Sequence, residues 1–146
     1  MPNHQLICVD CSSKQDPSVA DLYCSECGGL FAVESLAAPD GTMPRLPMDE
    51  PLNSNSLGEG DTPLLFLDKT CEQLGLGSLW AKLEFMAPTG SFKDRGSAVL
   101  TTMGRDFGVT EFIEDSSGNA GASLSAYAAA AGLKAHVFAP ASAASG

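Results

Sequence analysis

The sequence has few basic residues and no long hydrophobic run. Eight lysines and arginines stand against 18 aspartates and glutamates, which gives a formal net charge of −10. A chain this acidic is poorly suited to nucleic acid or to an anionic membrane surface, so neither is expected as a partner. No apolar stretch approaches the roughly 20 residues that a membrane-spanning helix needs, and the first ten residues lack the features of a signal peptide. These absences predict a globular, cytoplasmic protein.

Four of the five cysteines form two closely spaced pairs near the N-terminus. Cys8 pairs with Cys11 and Cys24 with Cys27, and twelve residues separate the pairs. In a reducing compartment such cysteines are more often metal ligands than disulfides. Two facing turns with two thiolates each make a tetrahedral sulfur cage, which Zn²⁺ favours, and a closed site of this kind stabilises a fold. Residues 1–35 are therefore interpreted as a zinc-ribbon-like module, with unliganded thiols or bound iron as alternatives.

The composition changes after this module. Residues 36–60 are rich in Pro, Gly, Asn and Ser, show neither strand nor helix periodicity, and are interpreted as a linker that wraps against the next domain. From residue 61 to residue 146, short apolar runs alternate with helical patterns that begin near residues 91 and 118. This alternation predicts βαβ units with a parallel sheet, and therefore an α/β fold class.

The helix that begins near residue 91 carries an apolar stripe and a lysine in its first turn. The stripe, by which an amphipathic helix faces a core, consists of Phe92, Gly96, Val99, Leu100, Met103 and Phe107. Ser91 and Asp94 make a capping pattern that starts the helix at Ser91. Lys93 then lies at the positive end of the helix dipole, which disfavours the ammonium form and favours the neutral amine that imine chemistry needs. From the residues alone, a solvated surface charge remains the alternative.

A second loop of interest is SSGNAG, residues 116–121, between a predicted strand and a predicted helix. In parallel sheets ligands bind at the carboxyl ends of strands, in the loops that lead into helices. Ser116, Ser117 and the free backbone N–H groups of this turn can cradle a carboxylate, and the two glycines allow close backbone approach. The amide of Asn119 could donate to a phenolate oxygen. Simple capping of the helix by Ser117 or Asn119 is the alternative.

Three segments together resemble the fold-type II pyridoxal-phosphate enzymes, and among these the threonine synthase-like group. They are GDTPLL at 60–65, AKLEFMAPTGSFKDRG at 81–96 and EDSSGNAGASLSAYAAAAGLKAHVFAP at 114–140. Members of that group often carry a two-pair cysteine ribbon before the catalytic region, as residues 8–27 do here. The resemblance implies pyridoxal 5'-phosphate as cofactor, a small amino acid as substrate and, for a full-length enzyme, a homo-oligomer.

The resemblance also implies roles for individual residues. Lys93 would hold the cofactor covalently and move protons at substrate carbons, and Asn119 would hydrogen-bond the cofactor's ring oxygen. Ser116, Ser117, Asn119 and the backbone near Ala120 would bind the substrate carboxylate. The implied reaction is conversion of O-phosphohomoserine to threonine and phosphate. The alternatives are another elimination or replacement enzyme, cysteate synthase-like or diaminopropionate lyase-like, and an inactive metal-ribbon protein that binds a partner.

The same resemblance predicts that this chain is the N-terminal part of such an enzyme. The family pattern continues with a glycine-rich loop that binds the cofactor phosphate and with a hydroxyl or thiol near the pyridine nitrogen. Neither follows residue 121 in this sequence. We therefore expect an incomplete sheet, weak cofactor binding, and a strand edge and an apolar face left uncovered.

Overall fold

The computed structural model describes residues 4–17, 22–35, 55–116 and 118–143. Within these ranges the chain forms an α/β arrangement of seven strands and three α-helices. In chain order they are β1 His4–Cys8, β2 Lys14–Gln15, β3 Phe31–Ser35, β4 Leu64–Phe66, α1 Asp68–Leu74, β5 Trp80–Lys82, α2 Lys93–Asp106, β6 Glu111–Glu114, α3 Asn119–Ala130 and β7 Lys134–Val137. In this part of the chain, no helix has both the length and the apolar composition that crossing a membrane requires.

The N-terminal module is a three-stranded antiparallel sheet in the order β2-β1-β3. Its central strand β1 pairs with β3 along its whole length, from His4 opposite Ser35 to Cys8 opposite Phe31. β3 follows the second cysteine pair and returns the chain alongside β1. Lys14 of β2 forms an ion pair of 2.9 Å with Glu34 of β3, so the one basic residue of this module is matched by an acid.

The parallel βαβ unit that the sequence predicts is formed by β6, α3 and β7. The two strands pair in parallel, from Glu111 opposite Lys134 to Glu114 opposite Val137. Helix α3 crosses between them and packs against both strands and against α2. Leu124, Tyr127 and Ala128 of α3 are almost fully buried. The α/β class is therefore confirmed.

The other strand pair departs from the parallel prediction. β4 and β5 pair antiparallel, with Phe66 opposite Trp80. Helix α1 between them ends at Gly75, whose left-handed backbone (φ 64°) reverses the chain, and glycine adopts this conformation without strain. The buried Cys71 closes this turn, because its thiol donates to the carbonyl of Leu76 at 3.0 Å. The turn therefore returns β5 alongside β4 in the opposite direction.

Helix α2 is buried through a different face from the one predicted. Its buried residues are small or polar: Asp94, Ser97, Ala98, Thr101, Thr102 and Gly104. In the predicted stripe, Phe92 is 58% exposed and Leu100 is 47% exposed. A Cβ added to Gly104 would overlap the ring of Phe112 in β6, so only glycine fits this close contact. The stripe prediction was therefore wrong for the packing of this chain, and the apolar face lies outward.

The end of the predicted linker wraps against α2 and α3. Asn55 donates to the hydroxyl of Thr102 at 3.3 Å and accepts from Arg105 at 3.0 Å. The hydroxyl of Tyr127 donates to the carboxylate of Glu59 at 2.8 Å. Both Asn55 and Glu59 are buried. Residues 55–60 are thus part of the packed α/β unit, while residues 36–54 of the predicted linker lie outside the described residues.

Candidate functional site

The first turns of α2 and α3 lie together at one end of the βαβ unit. Asp94, in the first turn of α2, accepts a hydrogen bond of 2.7 Å from Ser123, which lies one turn into α3. The Ser123 hydroxyl also lies 2.8 Å from that of Ser97. The two loops that the sequence singles out, before α2 and before α3, therefore open at the same end of the structure.

Lys93 is the first residue of α2, and its side chain is exposed. Its Nζ lies 5.0 Å from the ring centroid of the adjacent Phe92, within the range of a cation–π contact. The Phe92 ring beneath this amine is itself largely exposed. None of the ion pairs within the described residues involves Lys93. The amine is thus accessible to a carbonyl compound from solvent.

The start of α2 differs from the predicted capping arrangement. The Ser91 hydroxyl accepts from the N–H of Lys93 at 3.2 Å, as a helix-capping serine does. The Asp94 carboxylate, however, accepts the N–H of Thr89 at 2.7 Å and the Thr89 hydroxyl. Because Asp94 is bonded to this preceding turn, it does not complete a capping box, and α2 begins at Lys93 rather than at Ser91.

The loop before α3 places its polar groups at the carboxyl end of β6. Ser116 is half-buried, and its hydroxyl accepts the N–H of Gly118 at 3.2 Å. Asn119 is the first residue of α3 and is exposed, and Ala120 follows it half-buried. Ser117 lies outside the described residues. The structure thus leaves the Asn119 amide open to solvent at the N-terminus of the helix.

The two glycines of this loop have different surroundings. A Cβ at Gly118 would meet open space. A Cβ at Gly121 would lie 2.6 Å from the carbonyl oxygen of Ser116 and 2.9 Å from a methyl of Val137. Only Gly121 therefore supports a close backbone approach, and that approach is between α3 and its own strands. Beside it a cleft of about 270 Å³ opens, with walls that include Ser116, Gly118 and Val137.

A second polar cluster ties the segment before β4 to α2, and no pattern in the sequence assigns a role to its members. Arg95 contacts both carboxylate oxygens of Glu84 at 2.8 Å and donates to the Thr62 hydroxyl at 3.0 Å. The Arg95 guanidinium, bonded to Glu84, lowers the pKa of that carboxyl to about 2. The only signal in the sequence is one acid and one arginine within the matching segment AKLEFMAPTGSFKDRG. Spacing alone does not show that they meet.

The four paired cysteines converge on one point. The Sγ atoms of Cys8 and Cys27 lie 3.5 Å apart, those of Cys11 and Cys24 lie 3.6 Å apart, and all four lie within 4.8 Å of one another. Four sulfurs at about 2.3 Å from a tetrahedral Zn²⁺ would be separated by roughly 3.8 Å. All five cysteines of the chain are free thiols. The donor set and its spacing therefore fit a closed four-sulfur metal site.

The residues around these sulfurs support the same geometry. Gly28 has the positive φ (75°) expected of a knuckle glycine. A Cβ at Gly29 would lie 3.0 Å from the Cys8 sulfur and would overlap the carboxylate of Asp10. The Ser13 hydroxyl, 3.1 Å from the Cys24 sulfur, lowers the pKa of that thiol to about 6. The second cysteine turn can thus approach the first only because glycine follows it.

The family model for pyridoxal-phosphate dependent enzymes matches residues 55–146. This match covers the α/β unit and includes both loops described above. Its start coincides with Asn55, which is buried and is the first residue of the wrapping segment that the structure describes.

Several curated threonine synthases are similar to this chain. The one from Methanosarcina acetivorans is 33% identical over 94% of this chain, and the one from Methanocaldococcus jannaschii is 35% identical over 91%. That of Bacillus sp. (strain ULM1) is 42% identical over 65% of the chain. The chain spans 37% of the length of each of the two archaeal relatives. The resemblance inferred from the sequence motifs is confirmed.

Proposed function

Because the chain belongs to the pyridoxal-phosphate-dependent enzyme family, we propose that it forms part of a lyase of the threonine synthase type. The reaction would convert O-phosphohomoserine to threonine and phosphate. Support comes from similarity to threonine synthases that extends over 94% of the chain, cysteine module included. The substrate would be a small amino acid. The complete enzyme would be a homo-oligomer and would be located in the cytoplasm.

Pyridoxal phosphate, when bound, supplies an electron sink for negative charge that develops on substrate carbons. The chain's own residues would supply attachment and proton transfer. The Nζ of Lys93 would hold the cofactor and would take and return protons at substrate carbons. Asn119 would donate a hydrogen bond to the cofactor's ring oxygen. The substrate carboxylate would be bound at the N-terminus of α3, where the helix dipole favours an anion, by Ser116, Ser117, Asn119 and the N–H of Ala120.

One observation carries this proposal: an accessible amine lies at the start of α2, and that start is bonded to α3. Lys93 is exposed, and the adjacent Asp94 accepts from Ser123 of α3 at 2.7 Å. Attachment of a carbonyl cofactor requires a reachable lysine, and recognition of an amino acid requires anion-binding N–H groups nearby. The packing of α2 on α3, which brings the start of α2 to the N-terminal part of α3, supports such an arrangement.

Lysine labelling tests the attachment site. The chain has five lysines, at 14, 69, 82, 93 and 134, so four serve as internal references. The protein is incubated with pyridoxal phosphate, reduced with borohydride and mapped by peptide mass. We expect label predominantly on Lys93, and loss of the visible cofactor band in Lys93→Ala. A band that survives this substitution, or label spread evenly over the five lysines, would refute the proposal.

The reaction itself is tested by supplying the part of the relatives' sequence that lies outside the region aligned with this chain. The chain is joined to the remaining part of the Methanosarcina acetivorans relative, and phosphate release from O-phosphohomoserine is measured with threonine formation. Both products should appear in equal amounts. Release of another leaving group in preference to phosphate would instead identify a different elimination or replacement enzyme of the same family.

For the cysteine module we propose a structural Zn²⁺ bound by Cys8, Cys11, Cys24 and Cys27. The support is the mutual approach of the four sulfurs. Metal content is measured after purification in wild type and in Cys24→Ser, with Cys71→Ser as the matched control, since Cys71 is also buried but lies outside the cluster. One zinc per chain is expected in wild type and in the control. Unchanged zinc in Cys24→Ser would rule the site out.

A further inference from the structure

We propose that Asp94 is a positioning residue that fixes the turn before Lys93 onto helix α3. The inference rests on the proposed function in so far as Lys93 is the reactive amine. Asp94 has none of its surface exposed, although it is a carboxylic acid that follows directly after an exposed lysine. An acid buried in this way needs hydrogen bonds to offset the loss of hydration.

The partners of Asp94 come from two separate parts of the chain. One carboxylate oxygen accepts the N–H of Thr89 at 2.7 Å, and the other accepts the hydroxyls of Thr89 and of Ser123, the latter at 2.7 Å. The nearby Arg95 bonds to Glu84 instead. Asp94 is thus held by hydrogen-bond donors, two from the turn before α2 and one from α3.

The direction of these bonds follows from the chemistry of the groups. A carboxylate oxygen accepts, so the Ser123 hydroxyl donates to Asp94. The Ser123 hydroxyl also lies 2.8 Å from that of Ser97, which brings a second buried hydroxyl into the same group. Hydrogen bonds to a charged acceptor are stronger than neutral ones, so this carboxylate sets the geometry of the whole group.

The turn held by Asp94 leads directly to Lys93. It contains Gly90, whose positive φ of 79° glycine adopts without strain and whose N–H donates to the carbonyl of Ala87 at 2.8 Å. By binding the Thr89 N–H on one side and Ser123 on the other, Asp94 fixes this turn relative to the helix that begins at Asn119. The placement of the amine relative to the anion-binding end of α3 therefore depends on Asp94.

The test uses Asp94→Asn, Ser123→Ala and a control, Thr101→Val. The asparagine keeps the size of the side chain but replaces one acceptor oxygen by a donor, and the alanine removes only the α3 contact. Thr101 is also fully buried in α2, but its hydroxyl bonds only to carbonyls of its own helix. The first readout is the labelling of Lys93 relative to the other four lysines. The second is hydrogen exchange at the Thr89 amide, compared with amides in the middle of α2 and α3.

We expect Asp94→Asn and Ser123→Ala to lower the preference for Lys93 by about fivefold or more, the size expected for loss of one hydrogen bond. Both substitutions should speed hydrogen exchange at the Thr89 amide and leave exchange of the mid-helix amides near the wild-type rate. In Thr101→Val, the labelling preference and the exchange rate at Thr89 should both stay near wild type. Unchanged labelling and unchanged Thr89 exchange in Asp94→Asn would overturn the inference. If wild type shows no preference for Lys93, the proposed function fails, and Thr89 exchange alone then decides whether Asp94 holds the turn. If mid-helix exchange rises together with that at Thr89, Asp94 acts on overall stability and the inference is refuted.

Discussion

Removal of one hydroxyl from α3 should loosen the segment 55–60 that packs against the α/β unit. The Tyr127 hydroxyl donates to Glu59 at 2.8 Å, and the side chain is fully buried. The same oxygen of Glu59 also accepts from the Ser56 hydroxyl and the Leu57 N–H, each at 3.0 Å. Tyr127→Phe keeps the ring and removes only the bond that joins this loop to the helix.

The size of the effect follows from the charge on the acceptor. A hydrogen bond to a charged group contributes about 1.5–3 kcal/mol, and the remaining two donors keep Glu59 partly satisfied. We therefore expect Tyr127→Phe to lower the free energy of unfolding by about 1.5–3 kcal/mol. Glu59→Gln should lose a similar amount, because the amide offers a weaker acceptor to all three donors.

Urea unfolding of wild type, both single variants and the double variant measures the interaction directly. Because Tyr127 and Glu59 contact each other, the losses should not add, and the double variant should be less destabilised than the sum by more than about 1 kcal/mol. Additivity within about 0.5 kcal/mol would refute the argument, since independent sites add to that precision.

The pH dependence provides a second check on Tyr127. Burial of the phenol, reinforced by its bond to Glu59, raises the pKa of Tyr127 above its usual value of about 10. A folded-state pKa that is raised gives stability present below the unfolded pKa and lost as pH increases above it. Wild type should therefore lose more stability than Tyr127→Phe above about pH 10. Parallel curves for the two proteins would contradict this account.

Three further predictions concern the site and its supports. The pKa of Glu84 is about 2 in the folded state, below its unfolded value, so its contribution to stability is present above about pH 4.5 and is lost as pH falls toward 2. The free energy of unfolding should therefore fall more steeply with acid in wild type than in Glu84→Gln. Gly121→Ala should cost about 1–3 kcal/mol in urea unfolding because the new Cβ meets Ser116 and Val137, whereas Gly118→Ala should be nearly neutral. Leu124→Ala should cost about 2–5 kcal/mol by the same assay, since the Leu124 side chain is part of the buried face of α3, and a smaller loss would mean that the surrounding residues collapse into the cavity.

The sequence predicted those parts of the fold that depend on local pattern. The βαβ unit of β6, α3 and β7 follows from an apolar run, an alanine-rich helix and a second apolar run, each bounded by turn residues. The meeting of four cysteines follows from their paired spacing, because each C-x2-C turn already brings two sulfurs together.

The remaining features of the fold and the site depend on which surfaces pack together, and the local sequence pattern does not contain that information. Periodicity finds an apolar stripe on α2, but packing on α3 selects the opposite face, since Ser97 and Thr101 allow a closer approach than Leu100 would. The contact between Glu59 and Tyr127 joins residues 68 positions apart. Asp94 fits a capping pattern by spacing, and only the three-dimensional structure shows that its partners are Thr89 and Ser123.

The parallel pairing of β6 and β7 makes the strand pair dependent on the connection between its strands. Two strands that run in the same direction cannot be joined by a tight turn, and the whole of α3 lies between them. Closing this longer connection costs more chain entropy than closing a hairpin. The register of β6 and β7 therefore depends on the folded crossover as well as on the two strands themselves.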